Sequence, residues 1–273
     1  MVERAPPLVS AGPQLSYRDT AEILVRLGAV AEDIVLIGGQ ALHFWVSQYA
    51  ARDSFLSSGA PFTSKDVDFC GDAEEARAAA EALGGEVCVP SLDDATPSTA
   101  LVRFEHSGAK HEIDFLDKPH GITRLDVERM SLLVHTGIGE GRFRVLPPIL
   151  CMESRICNAS LPGYTTPQAL RQLRASIVCA REFLCDLLEH QGLRPFLKAA
   201  ERVFRFTRLR LQARNVYDDH GIDALDAIPR GRPEPGLVMF NAQRLSQMET
   251  ILARERARRR AMAQARSPRS PDQ

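Results

Sequence analysis

Two aspartates at alternate positions of a short apolar stretch place the strongest constraint on this sequence. In TSKDVDFCGD, residues 63–72, Asp66 and Asp68 alternate with Val67 and Phe69. Side chains of a β-strand point alternately to its two faces, so a strand here buries the apolar pair and gathers two negative charges on the other face. Two like charges on one strand repel unless water, a basic side chain or a metal ion separates them. The rest of the chain has to indicate which of these three separates the two charges.

The first half of the chain alternates between strand and helix patterns. DIVLIGG (33–39) predicts a buried strand that ends in a glycine turn. DAEEARAAAEALGG (72–85) predicts a helix that Asp72 caps and Gly84 closes. Three further stretches, EVCVP, ALVRFEH and KHEIDFLD, have strand character, and the last two are joined by a hairpin-like link. This order predicts an α+β domain over residues 16–148, in which flanking helices cover a mixed sheet.

From Pro147 onward, apolar residues recur at helical spacing. One predicted helix runs from Pro167 to Gly192, a second covers about 197–219, and a third starts near Asn241. An α-helical C-terminal domain is therefore expected to follow the sheet domain. The predicted organisation is a flexible leader, the sheet domain, a basic helical domain and a disordered tail, over residues 1–15, 16–148, 149–265 and 266–273.

The charges are distributed unevenly between the two halves. The chain as a whole has a net charge of −1, but residues 1–148 contain 13 basic and 22 acidic side chains, whereas residues 149–273 contain 21 basic and 13 acidic ones. A basic surface attracts phosphate, so the second half is a candidate RNA-binding region. The alternative is a solvated helical bundle whose arginines contribute only to solubility.

The sequence lacks the features of membrane-spanning and secreted proteins. It has no apolar run long enough for a membrane span, and MVERAPPLVSAGPQ does not resemble a signal peptide. The six cysteines include no C-x-x-C pair, so we expect small buried thiols and no zinc site built on them. His43 and His111 are interpreted as polar residues of the surface or core. Together these features predict a cytoplasmic protein without a membrane partner.

Two other features accompany the aspartate pair. The turn at Gly38 and Gly39 precedes a predicted helix, and such a turn offers free backbone N–H groups to a phosphate. In KHEIDFLD, Asp114 shares a strand face with Lys110 and Glu112, and a neighbouring strand would lie about 4.8 Å away. An exposed acidic sheet face explains the aspartate pair by itself. The combination of turn, pair and third acid favours a site for a hard divalent cation.

The stretches LIGGQAL, TSKDVDF and HEIDFL, in this order, resemble the DNA polymerase β-type nucleotidyltransferase superfamily, in particular its AbiEii-like and minimal-nucleotidyltransferase branch. The resemblance covers about residues 30–120. Two departures stand out. The spacer between Gly39 and Asp66 is long, and the first helix after the sheet offers Glu153 and Arg155 where a lysine is expected.

The resemblance implies an enzyme that depends on Mg²⁺ and transfers a nucleoside monophosphate from an NTP such as ATP to a hydroxyl group. tRNA is the first candidate acceptor, and an antitoxin-like protein partner is implied by a toxin–antitoxin or phage-defence setting. The resemblance implies catalytic, metal-binding roles for three aspartates, Asp66, Asp68 and Asp114. It places Gly38 and Gly39 against the nucleotide phosphates, and Ser64 and Lys65 are candidate phosphate contacts because they directly precede the aspartates.

Two alternatives remain open at this point. The chain can be a catalytically idle nucleotidyltransferase fold that serves as a binding or regulatory module. It can also be an enzyme that modifies a protein or a small molecule such as an antibiotic. The three intact acidic positions favour activity over the idle module, because an idle site has no need of clustered carboxylates.

Overall fold

The structure is a computed structural model of the 273-residue chain. It describes residues 15–58, 66–91, 93–94, 96–161, 163–231 and 234–266. The chain forms two compact units, residues 1–180 and 181–273, and the division falls within one long helix. Most of the predicted leader and tail lies outside the described residues.

A mixed β-sheet is the centre of the first unit, as the sequence predicted. Its strands in the described chain are β1 (Val35–Ile37), β2 (Val67–Cys70), β3 (Glu86–Cys88), β4 (Ser98–His106), β5 (Ala109–Leu116), β6 (Leu132–His135) and β7 (Arg142–Val145). They lie in the order β3-β4-β5-β2-β1-β7-β6. The β1–β7 and β2–β5 pairs are parallel, and the other neighbouring pairs are antiparallel.

The helices of this unit are α1 (Tyr17–Leu27), α2 (Val30–Asp33), α3 (Gly38–Tyr49), α4 (Ser54–Ser57), α5 (Ala73–Leu83), α6 (Arg124–Met130) and α7 (Pro148–Asn158), and α8 (Pro167–Gln191) begins in it. Local signals set several of their ends. Asp72 caps α5 with its side chain and Gly84 closes the helix in the left-handed conformation, both as predicted. The short α6 and β6 were not predicted, because elements of four to seven residues have too little periodicity to stand out.

The two faces of β2 and β5 differ as the alternation predicted. Val67, Phe69, Ile113 and Phe115 are fully buried, and the rings of Phe69 and Phe115 stack with centroids 5.8 Å apart. The acidic side chains of both strands lie on the opposite face, where burial is incomplete. Burying these apolar side chains anchors both strands in the core, and this fixes the direction of the acids.

The second unit is helical, as expected for the C-terminal part. After the end of α8 it contains α9 (Leu193–Leu209), α10 (Leu211–His220), α11 (Pro235–Phe240) and α12 (Ser246–Arg266). The single helix predicted over about 197–219 was wrong: Arg210 is extended, with φ −78° and ψ 126°, and separates α9 from α10. One turn of π-helix, Asn241–Leu245, joins α11 to α12. Phe196 packs edge-on against Phe240, with ring centroids 5.2 Å apart.

The cysteines follow the prediction with one exception. All six are free thiols and five are buried, but Cys88 is exposed. Cys88 ends β3, which lies at an edge of the sheet, so one of its sides has no neighbouring strand among the described residues. Among the described helices none is both long and apolar enough to cross a membrane.

Candidate functional site

The glycine turn and the second aspartate are in direct contact. Strand β1 ends at Ile37, and α3 begins at Gly38, whose φ of +65° lies in the left-handed region. A Cβ atom on Gly38 would overlap Oδ2 of Asp68 and would lie 3.0 Å from its Cγ. Only glycine therefore allows the carboxylate to lie against this turn. The backbone N–H of Gly39 donates a hydrogen bond to the Asp68 carboxylate.

Strand pairing brings the third acid next to the second. The parallel register of β2 and β5 places Asp114 directly beside Asp68, although 46 positions separate them in the sequence. Asp66 directly precedes β2, is exposed, and lies close enough to influence the charge of both other carboxyls. The structure thus brings together the three aspartates that the sequence singled out.

The environment of Asp68 disfavours its negative charge. Desolvation is the largest cause, followed by repulsion from Asp114 and Asp66, and together they raise the pKa of Asp68 to about 7. The positive charge of Arg155 and the N–H of Gly39 act in the opposite direction without cancelling the rise. A carboxyl with this pKa is half protonated near neutral pH. Strongly shifted pKa values of this kind cluster at functional sites.

Asp114 is also held in an unfavourable environment. Desolvation raises its pKa, the Ser98 hydroxyl lowers it by donating a hydrogen bond, and Asp66 and Glu112 raise it further. Its Oδ1 is buried and accepts no hydrogen bond among the described residues. A buried carboxylate oxygen without a donor is energetically costly, so this atom is available to a proton or a cation.

The donor set fits Mg²⁺, which binds carboxylate oxygens together with water and substrate phosphates. A divalent cation beside Asp68 and Asp114 would offset the repulsion that raises both pKa values. The ligand atoms of the three aspartates are not all within 4.8 Å of one another; in the described chain the one set that meets this spacing is Asp186, Glu189 and His190 of α8. That set carries no further sign of a ligand.

Arg155 is the residue that the sequence alone did not single out as functional. It lies on α7, where its Nη1 donates a hydrogen bond to Oε1 of Gln172 at 2.8 Å, and its charge acts on Asp68. Burial lowers its pKa from the usual arginine value, and the carboxyl of Asp68 counteracts this. Arg155 thus supplies a positive charge from the helix on which the resemblance placed a lysine.

Ser64 and Lys65, the predicted phosphate contacts before β2, lie outside the described residues. A partly open pocket of about 200 Å³ in the first unit is lined in part by Val35, Cys70 and Arg144. Strand register places these residues at the opposite end of β1 and β2 from Asp68. The cavity is therefore separate from the acidic site.

Many arginines of the second unit are engaged in ion pairs. Seven such pairs have N–O distances of 2.7–3.4 Å: Arg181–Glu182, Arg208–Glu255, Arg230–Asp226, Arg230–Glu249, Arg244–Glu201, Arg256–Asp223 and Arg259–Asp218. The charge of these arginines is therefore partly neutralised within the unit. Arg254, Arg258 and Arg260 of α12 are exposed and make no ion pair with another described residue.

The raised pKa of Asp68 predicts a pH dependence of stability. Between the unfolded pKa of 3.8 and the folded value of about 7, the folded chain binds more protons, so stability falls as pH rises. In Mg²⁺-free buffer, between about pH 5 and about pH 8, we expect this group to lower the free energy of unfolding by at most about 3 kcal/mol. Urea unfolding of the wild type and of Asp68→Asn, at about pH 5 and about pH 8, measures the difference.

Other groups also change the stability with pH: the pKa of Asp19, for example, is lowered, so its contribution to stability rises as pH rises. Both the wild type and Asp68→Asn contain these groups, so the difference between the two proteins isolates the contribution of Asp68. Asp68→Asn should be less sensitive to pH than the wild type, and saturating Mg²⁺ should reduce the sensitivity of the wild type. Equal pH dependence of both proteins would contradict the assignment.

The sequence matches no protein-family model, and it matches no curated protein. Among solved structures, that of JHP933 from Helicobacter pylori is similar over 88% of this chain and 96% of that chain, with 13% sequence identity and a TM-score of 0.32.

Proposed function

We propose that this chain is a Mg²⁺-dependent nucleotidyltransferase, which transfers a nucleoside monophosphate from an NTP to a hydroxyl acceptor. The observation that carries the proposal is the in-register pair of Asp68 and Asp114, packed against the Gly38 turn. Two adjacent carboxyls with raised pKa values are stabilised by a hard cation, and nucleotidyl transfer uses such a cation to hold a triphosphate.

The three aspartates share the cation in the proposed reaction, and Asp114 has a second part. Mg²⁺ would be held by Asp66, Asp68 and Asp114, and it would neutralise charge on the attacking and leaving oxygens. Asp114 would accept the proton of the acceptor hydroxyl, because its pKa is raised and its Oδ1 has no donor among the described residues. The hydroxyl oxygen then bonds to the α-phosphorus, the bond from this phosphorus to the bridging oxygen breaks, and pyrophosphate leaves.

Arg155 and the α3 N-terminus would position the triphosphate. The hydrogen bond to Gln172 restrains the Arg155 guanidinium near Asp68, where it can bind a phosphate oxygen. Backbone N–H groups at the start of α3 favour an anion for the same electrostatic reason. Arg155 would thus take the role that the resemblance gives to a lysine.

RNA, with tRNA as first candidate, is the acceptor that the charge distribution favours. The exposed Arg254, Arg258 and Arg260 offer positive charge without an ion-pair partner among the described residues. Phosphate contacts from such arginines make affinity fall with rising salt. The alternative acceptors are a protein and a small molecule such as an antibiotic.

Label transfer tests the proposal. Purified protein is incubated with each α-labelled NTP, Mg²⁺ and total cellular RNA, beside an Asp68→Asn control. Label on an RNA band that is absent with the control supports both the reaction and the acceptor class. Label on a protein band supports the reaction with a different acceptor. Absence of label, together with an unchanged melting temperature in NTP and Mg²⁺, would contradict the proposal and favour the idle binding module.

A further inference from the structure

The pocket of about 200 Å³ in the first unit carries two arginines from different elements. Arg124 of α6 and Arg144 of β7 both line it. The buried part of its lining is apolar and consists of Val35, Cys70 and Val127. Binding sites for small molecules combine such an apolar lining with a few polar groups that fix the orientation of the ligand. Sites for drug-sized ligands measure about 300–1,000 Å³, so this pocket suits a smaller molecule.

The guanidinium of Arg144 is anchored on one side and free on the other. Its Nε donates a hydrogen bond to the backbone oxygen of Glu32 at 2.7 Å. Its Nη1 and Nη2 make no hydrogen bond with another described residue. These two nitrogens form one edge of the planar group, and their N–H groups match the two oxygens of a carboxylate. Arg144 is partly buried, so the anchored edge is presented to the pocket in a restricted orientation.

Arg124 and Ser131 supply further donors. The Nη1 of Arg124 donates to the backbone oxygen of Asp117 at 3.2 Å and contacts the Cys70 sulfur at 3.7 Å. Its Nε donates to Glu128, which leaves Nη2 without a partner among the described residues. The hydroxyl of Ser131 also lines the pocket and has no partner in the described chain. Burial raises the pKa of the Cys70 thiol to about 11, so the thiol is neutral and does not repel an anion.

Two acids limit the charge that the pocket accepts. Asp33 and Glu128 complete its polar lining, and both are exposed. The lining thus contains two positive and two negative side chains, and a ligand with several negative charges would be repelled by the acids. A phosphate monoester carries about −1.5 to −2 charges at neutral pH, whereas a carboxylate carries one. The charge balance therefore favours a carboxylate over a phosphate.

We propose that this pocket binds a small aliphatic carboxylate, either a simple carboxylic acid or an α-amino acid. Arg144 holds the carboxylate through two parallel hydrogen bonds, and the aliphatic chain packs on Val35 and Val127. In an amino acid, the ammonium group is attracted by the exposed Asp33 as well. This inference does not depend on the proposed enzymatic function.

Calorimetric titration of the full chain in Mg²⁺-free buffer tests the pocket, with isovalerate, leucine, isoamylamine and inorganic phosphate as probes. Arg144→Gln removes the proposed carboxylate contact. Arg142→Gln is the matched control, because Arg142 lies two positions earlier on β7 and its Nε and Nη2 bind the Glu32 carboxylate at 3.1 and 3.0 Å. Both variants lose one positive charge of β7 and one contact with Glu32, but Arg142 does not line the pocket. Arg144→Lys keeps the charge without the paired N–H groups, and it serves where Arg144→Gln does not fold.

We expect one isovalerate or one leucine to bind per chain. Arg144→Gln and Arg144→Lys should weaken this binding at least about tenfold, which corresponds to one hydrogen bond to a charged group. Arg142→Gln and Asp68→Asn should bind like the wild type. Tighter binding of leucine assigns the pocket to amino acids, and tighter binding of isovalerate assigns it to simple carboxylates. Absence of binding of both carboxylates, preferential binding of phosphate or isoamylamine, or equal affinity of the Arg144 and Arg142 variants would overturn the proposal.

Discussion

Asp68→Asn is expected to abolish nucleotidyl transfer and to leave the fold intact. Asparagine keeps the shape of the side chain, and its amide oxygen can still accept the Gly39 N–H. It removes the negative charge that would hold the cation against the triphosphate. We expect a loss of at least about 10³-fold in rate, at the upper end of what loss of one transition-state-stabilising group causes. Initial rates of label transfer at saturating Mg²⁺ measure it.

Asp117→Asn is the matched control. Asp117 directly follows β5, three positions after Asp114, is largely exposed and pairs with Lys118 at 3.5 Å. Its replacement changes the net charge of the same part of the unit by the same amount. Transfer by this variant should stay near that of the wild type. A rate for Asp68→Asn within about tenfold of the control would refute the proposed role.

Gly38→Ala is expected to give a large loss of stability. Its positive φ costs an alanine about 1–2 kcal/mol, and the Cβ would overlap Oδ2 of Asp68. Relief of the overlap requires movement of the turn or of β2, which adds about 1–3 kcal/mol as in overpacked cores. We expect a total of about 3 kcal/mol from urea unfolding, together with loss of NTP binding.

Gly84→Ala separates the two contributions. Gly84 also has a positive φ, +64°, in the left-handed conformation, but a Cβ there would meet no described atom within 4 Å. This variant should lose only the backbone contribution, about 1–2 kcal/mol. If Gly38→Ala and Gly84→Ala lose the same stability, then contact with Asp68 does not explain the glycine at position 38.

The sequence by itself predicted those features that depend on neighbouring residues. The alternation in DVDFC and HEIDFL set which side chains are buried, and α5 begins at its Asp72 cap and ends before Gly84 as predicted. Such signals are local because strand alternation and helix capping involve residues only a few positions apart. The break at Arg210 escaped prediction because the helical pattern of apolar residues continues across it.

Only the tertiary structure decided how distant residues meet. The sequence allowed Asp114 to lie beside the aspartate pair, but the parallel pairing of β2 with β5 determined that it stands next to Asp68. The approach of Arg155 to Asp68 and the contact of Gly38 with the same carboxyl likewise depend on packing. Strand order and helix docking are set by burial of apolar surface across the whole unit, and no local pattern encodes them.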